Sequence, residues 1–268
     1  MGVDLTPSLQ LHQAPEQLVL LNHSSAHLPL SSRHLWILNV CRASCGFCQG
    51  LAPVWYSLAR RLRQEAFVAY WEAEEHGRPP STLGEFHATP AIRAFVPRPL
   101  SDPPVQIINY EGDRTSADLA RFVRSLLPDF VVRIANEEDW LRIHQRAVKD
   151  RKPRLLLFTT RPAAAESPPI LKAISSEFEG HVLVSEVHTN ETIDGVSTFT
   201  SSALFSMPPK LPAACIIPSV DYRMSCIDSA PTYSRLSALA MDALAMAHNS
   251  NIPSSTGLEG DTVLRREL

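Results

Sequence analysis

Apolar residues fall along the chain in two patterns: short, nearly continuous runs, and stretches where they return every three or four positions. The runs LVLLN (Leu18 to Asn22), WILNVC (Trp36 to Cys41), AFVAYW (Ala66 to Trp71), AIRAFV (Ala91 to Val96) and VQIINY (Val105 to Tyr110) predict strands. Leu51, Trp55, Leu58 and Leu62 share one helical face, and Leu119, Phe122, Val123 and Leu126 mark a later helix capped by Thr115 or Ser116. The polar stretch from Glu72 to Pro90 reads as a loop with a short helix around Leu83. The proline-rich PRPLSDPP joins the last two strands.

The second half repeats the order. VVRIA (Val131 to Ala135) is a strand, and Asn136 caps a helix through Trp140, Ile143 and Ala147. RLLLFTT (Arg154 to Thr160), PILKAISSEF (Pro169 to Phe178) and HVLVSEV (His181 to Val187) follow as strand, helix and strand. A Ser/Thr-rich stretch after Val187 has no assignable pattern. AACIIPSV and YRMSCI predict a hairpin, and Leu236 to Ala247 a closing helix. Strands alternating with helices, twice over, predict an α/β protein of two tandem units, each a central mixed sheet flanked by helices. The expected organisation is a tail over 1–14, units over 15–130 and 131–250, and a tail over 251–268.

At 268 residues, 44% hydrophobic and 20% charged, the chain is long and apolar enough for two folded domains. Only 10 glycines stand against 22 prolines, which predicts stiff loops. A formal charge of -3 argues against a nucleic-acid surface. No apolar run approaches the length of a membrane span, and Leu236 to Ala247 is interrupted by Asp242. No signal peptide is expected from the first residues. MGVDLT fits the loose myristoylation pattern at Gly2, for which a chance match is the preferred reading.

Five cysteines form no disulfide framework of the small secreted kind. The one close pair, Cys45 and Cys48 in ASCGFCQGLAPVW, points to redox work or a metal clip. No second CxxC or Cys/His pair stands at ligand spacing, so no metal is expected. Cys41 reads as a small buried hydrophobe, with a regulatory disulfide as the alternative. Cys215 and Cys226 lie on the two arms of the predicted hairpin and could face each other; two unpaired core thiols is the preferred reading.

The first half resembles the thioredoxin superfamily, and most closely the catalytic domains of protein disulfide isomerases. WILNVCRASCGFCQGLAPVW stands where those domains carry a strand, a CxxC pair and a proline-bent helix. ATPAIRAF stands at their cis-proline and following strand, and YEGDRTSADLARFV at the approach to their last helix. The resemblance implies two tandem thioredoxin-like folds. It makes Cys45 the exposed nucleophile and Cys48 the resolving thiol, needs no cofactor, and makes Pro90 a cis residue that sets the backbone of Thr89 opposite the cysteines for client binding. It leaves Arg114 either a tuner of the buried cysteine or a solvated residue at a helix start. The proton-relay acid of the family falls on Asn39, which cannot take a proton near neutral pH. Ser44 and Phe47 stand where the family carries tryptophan and histidine, so a slower or more reducing pair is expected.

The second half resembles the redox-inactive domains that accompany catalytic ones. RPAAAESPP stands at the CxxC position and Pro212 at the cis-proline position. Such a domain implies a binding surface, or else a spacer. RREL at the end is similar to endoplasmic reticulum retrieval signals, although Arg266 replaces an acidic residue. The lumen of that compartment is the expected location, with the cytoplasm as the alternative. Relatives of this type also occur fused to J-domains, so a J-domain or chaperone context is expected if the chain belongs to a longer precursor. Two functions follow: a thiol–disulfide oxidoreductase acting on protein cysteines, or a chaperone-like module that holds unfolded or cysteine-containing clients through a slow pair.

Overall fold

In the computed structural model, residues 18–189, 192–193, 196–197, 208, 210–218, 224–227 and 230–250 are described. The first half runs β1 (Val19–Leu21), α1 (Leu28–Ser31), β2 (Trp36–Cys41), α2 (Gly46–Arg61), β3 (Phe67–Glu72), α3 (Ala73–His76), β4 (Ala91–Pro97), β5 (Val105–Asn109) and α4 (Ser116–Ser125). Its sheet has the order β1-β3-β2-β4-β5. The first three of these strands are parallel, and β4 and β5 are antiparallel additions.

Central strand β2 is buried along its whole length, which is why its sequence is apolar at every position but Asn39. Successive side chains still point to opposite faces. Ile37 packs with Leu51, Trp55, Leu58, Leu119 and Val123 under α2 and α4. Trp36 and Leu38 join Phe67, Trp71, Leu83 and Phe95 on the other face. The same alternation assigns Asn39 and Cys41 to the Ile37 face, beneath α2. Helix α2 buries Cys48, Leu51, Trp55 and Leu58 at three- and four-residue spacing, and Trp55 Nε1 donates to Ala69 O at 3.0 Å. Thr115 caps α4, accepting from the Asp118 amide at 3.1 Å.

The second half repeats the architecture with β6 (Val132–Ile134), α5 (Glu137–Asp150), β7 (Arg154–Thr159), α6 (Pro169–Glu177), β8 (Leu183–His188), the short pair β9 (Thr192–Ile193) and β10 (Val196–Ser197), β11 (Ala213–Ile217), β12 (Ser225–Ile227) and α7 (Tyr233–Ser250). Its sheet order, β12-β11-β7-β8-β6, is the first order read from the other edge. Peptides Thr89–Pro90 and Leu211–Pro212 are both cis, immediately before β4 and β11. A third cis peptide, Asp102–Pro103, lies in the proline-rich connection. The expected α/β class with two tandem units is therefore the observed one.

A first cysteine expectation is overturned: Cys215 and Cys226 form a disulfide rather than two free core thiols. The hairpin register sets them directly opposite each other, with Cα atoms 4.0 Å apart. The myristoylation pattern at Gly2, most of the Ser/Thr-rich stretch and the closing RREL lie outside the described residues. No helix among the described residues is long and apolar enough to cross a membrane.

The halves meet at the pole of the first sheet opposite the cysteines. Ser176 Oγ donates to Arg33 O at 3.0 Å, and Arg33 Nη1 donates to Glu179 O at 2.7 Å. Tyr233, first residue of α7, donates its hydroxyl to Glu177 at 2.7 Å and lies 3.1 Å from His34 Nε2. Its amide donates to Gln64 at 3.2 Å.

Candidate active site at the amino terminus of α2

Cys45 is the N-cap of α2, in extended backbone conformation without a closed side-chain cap bond. The four leading amides of a helix have no intrahelical partner, so a negative charge is favoured beside them. The amide of Cys48 is the main cause that pulls the Cys45 thiol below its ordinary pKa. Desolvation opposes it, while the Thr89 side chain, the Phe47 amide and the Arg42 charge assist. Cys45 is half-exposed and is the one free cysteine. Phe47 beside it is 80% exposed, an apolar ring next to the thiol.

Thr89 stands opposite. Its carbonyl oxygen is 3.7 Å from Cys45 Sγ, and the following bond to Pro90 is cis, as expected. Arg114 is exposed at the surface and donates from Nη2 to Pro90 O at 3.4 Å. The structure thus brings Cys45, Thr89 and Pro90 together and sets Arg114 over the proline, with no contact to a cysteine shown.

The bonded pair differs from the one the CxxC spacing suggests. Cys48 forms its disulfide with Cys41, not with Cys45, across a Cα separation of 5.7 Å. The reason is strand alternation: Cys41 closes β2 on the face beneath α2, where Cys48 is the first buried helical residue. The reading of Cys41 as an unpaired buried hydrophobe is therefore corrected. Asn39, two residues earlier on the same face, is 1% exposed, and its Oδ1 lies 3.5 Å from Cys41 Sγ.

Two carboxylates that sequence reasoning missed hold the loop before Cys45. Ala43 N donates to Glu72 at 3.1 Å, and the amide and hydroxyl of Ser44 both donate to Glu74. Tyr70 donates to Glu72 at 2.9 Å, and its phenol pKa is raised, by burial first and by Glu72 second. The signal was present as the acid cluster EAEE directly after the third apolar run. Gln49 adds a bond from Nε2 to Ala43 O at 2.8 Å. Pro53, which has no amide hydrogen, leaves the Gln49 carbonyl without its usual intrahelical donor.

The equivalent end of the second unit has no thiol. There Arg161 pairs with fully buried Glu186 at 3.2 Å, and His188 Nδ1 lies 2.9 Å from Arg161 O.

A mixed five-stranded sheet repeated in tandem, a thiol at the start of the helix after the first central strand, and a cis-proline facing it make up a tandem thioredoxin-like fold. Over part of its length the chain is similar in sequence to protein disulfide isomerases. It is 34% identical over 89 residues to protein disulfide-isomerase like 2-2 of Arabidopsis thaliana, covering 32% of this chain and 18% of that one. It is 30% identical over 125 residues to the protein disulfide-isomerase of Aspergillus oryzae, covering 44% of this chain and 23% of that one. The chain thus spans less than a quarter of the length of either relative. The crystal structure of ERdj5 form II shares the fold, with a TM-score of 0.54 and 14% identity, over 90% of this chain and 30% of that one. No family model matches the chain.

Proposed function

We propose that the protein is a thiol–disulfide oxidoreductase of the isomerase type acting on cysteines of protein clients. The observation that carries this reading is the half-exposed Cys45 thiol at the helix start, 3.7 Å from the carbonyl preceding cis-Pro90. Cys45 attacks a client disulfide, and Cys48 resolves the mixed disulfide. The backbone of Thr89, with Pro90, pairs with an extended client segment, and Arg114 steadies that loop through Pro90. The clients are cysteine-containing or unfolded proteins, and the second unit supplies binding surface rather than redox chemistry. We place the protein in the endoplasmic reticulum lumen; disulfides at Cys41–Cys48 and Cys215–Cys226 favour an oxidising compartment. A second reading, a module that holds clients, is favoured by the engagement of Cys48 with Cys41.

After reduction, brief iodoacetamide treatment at neutral pH is expected to label Cys45 first and to stop insulin reduction in step. Because the thiol pKa is lowered, the labelling rate is expected to hold up below the pH at which free cysteine loses reactivity. Mass spectrometry across a pH series measures this; equal labelling of all five cysteines contradicts the assignment.

A second expectation concerns Asn39, buried beside Cys41. A carboxylate there can take the proton a thiol must lose before attack, whereas an amide cannot. Asn39→Asp is expected to speed release of a trapped client in stopped flow. It should also lower stability, since burial penalises the added charge. Unchanged release would mean that proton removal at this position does not limit resolution.

A further inference from the structure

Three cysteines, not two, converge at the start of α2. Cys41 and Cys48 are shielded, at 0% and 5% exposure, and bonded to each other. Cys45, three positions before Cys48, keeps its free thiol at the surface. Cys48 therefore has two partners: Cys41, to which it is bonded, and Cys45, one helical turn away. We infer that Cys41 is a third member of the redox site and competes with Cys45 for the sulfur of Cys48. This rests on the oxidoreductase reading and adds how that site is switched.

The exchange balances. In the reduced site the Cys45 thiolate attacks a client disulfide; one client sulfur bonds to Cys45 and the other leaves as a thiolate. Cys48, its proton given to solvent, attacks Cys45 Sγ. The second client sulfur leaves with the bonding pair, Cys45–Cys48 forms, and two electrons have passed to the client. Cys41, also deprotonated, then attacks Cys48 Sγ. Cys41–Cys48 forms, Cys45–Cys48 breaks, and Cys45 departs as a thiolate. That last step trades one disulfide for another and needs no oxidant.

Burial sets its direction. A thiolate on Cys41 would be a charge in the core beside Asn39, whereas a disulfide sulfur there is neutral. The displaced charge comes to rest on Cys45, where helix amides receive it and where leaving is easiest. The oxidised site therefore still carries a nucleophile. A client that joins Cys45 in this state cannot be expelled by Cys48, and it stays until Cys41–Cys48 is reduced. Turnover and holding become two redox states of one site.

Trypsin separates the two disulfides, because Arg33, Arg42 and Arg60 cut the region into residues 34–42, with Cys41, and 43–60, with Cys45 and Cys48. The full chain is oxidised with glutathione disulfide, quenched in acid, alkylated and mapped. The expected major product is 34–42 cross-linked to 43–60, with Cys45 alkylated or carrying glutathione. An internal loop within 43–60 beside alkylated Cys41, as the major product, overturns the inference. In Cys41→Ala the cross-link is lost and glutathione should leave Cys45 at least about tenfold faster, as Cys48 closes on it. Equal lifetimes in the two proteins also overturn it. The wild-type map requires no variant to fold. Insulin reduction is assayed in parallel: if it proceeds while the map shows only the internal loop, the exchange fails and the oxidoreductase reading stands. If Cys45 takes no glutathione and insulin is not reduced, that reading itself fails.

Discussion

Cys45→Ser is expected to bring insulin reduction down to background, a loss of at least about a hundredfold, or about 2.7 kcal/mol of barrier. The argument begins with position. A sulfur at the N-cap of α2 meets amides that have no other partner, and they favour the charged form that attacks. Serine at the same place accepts the same hydrogen bonds and caps the helix well, but its hydroxyl stays protonated at neutral pH. The fold should survive, because Cys45 is neither buried nor bonded. The variant therefore separates chemistry from stability, with urea midpoint and insulin turbidity as the two measurements. Cys48→Ser makes the informative contrast. It leaves the attacking thiol in place, so mixed disulfides should accumulate while turnover falls. Residual turnover near the wild-type rate in Cys45→Ser would move the nucleophile elsewhere.

The sequence was most legible where burial and chemistry are both local. Trp36 to Cys41 was readable to its last residue because a strand covered on both faces is apolar almost throughout, with Asn39 its one polar residue. Asn136 and Thr115 announced their helices, since a cap needs one side chain and one amide three residues on. Helices α1 and α3, of 4 residues each, show no periodicity, because one turn holds no repeat to detect. Cysteine partners were the least legible part. CxxC spacing reports what lies one helical turn away, whereas Cys41 reaches Cys48 through the stacking of α2 on the end of β2. Cys215 and Cys226 depend likewise on the hairpin register, and a shift of one residue would turn them to opposite faces. The acids Glu72 and Glu74 looked like a solvated loop until their bonds to Ala43 and Ser44 gave them a role at the site.

Acidification is expected to tighten the joint between the two units, and Glu177 is the cause. Its carboxyl sits at the end of α6, raised from 4.5 to about 7, first by burial. Hydrogen bonds from Tyr233 and Ser237 and the charge of Arg33 pull the other way without restoring it. His34 Nε2 is 3.8 Å from Glu177 Oε1, and the Tyr233 phenol, itself raised by burial and then by Glu177, completes the cluster. A carboxyl whose folded pKa exceeds its unfolded one binds more proton in the folded state. Its contribution is complete below about 4.5, is lost as pH rises toward 7, and is absent above. The span corresponds to about 3 kcal/mol. His144 and His181, both held below the ordinary histidine value by burial first, act in the opposite sense on acidification. Asp118, held low by Thr115 and then Arg121, joins them only in more acid solution. The difference between wild type and Glu177→Gln isolates the one group. Glutamine keeps the shape and stays neutral, so the variant should match wild type near pH 4 and exceed it by up to about 3 kcal/mol near pH 8. Urea unfolding at the two pH values measures this. Parallel curves at both would mean that Glu177 ionises without cost in the joint.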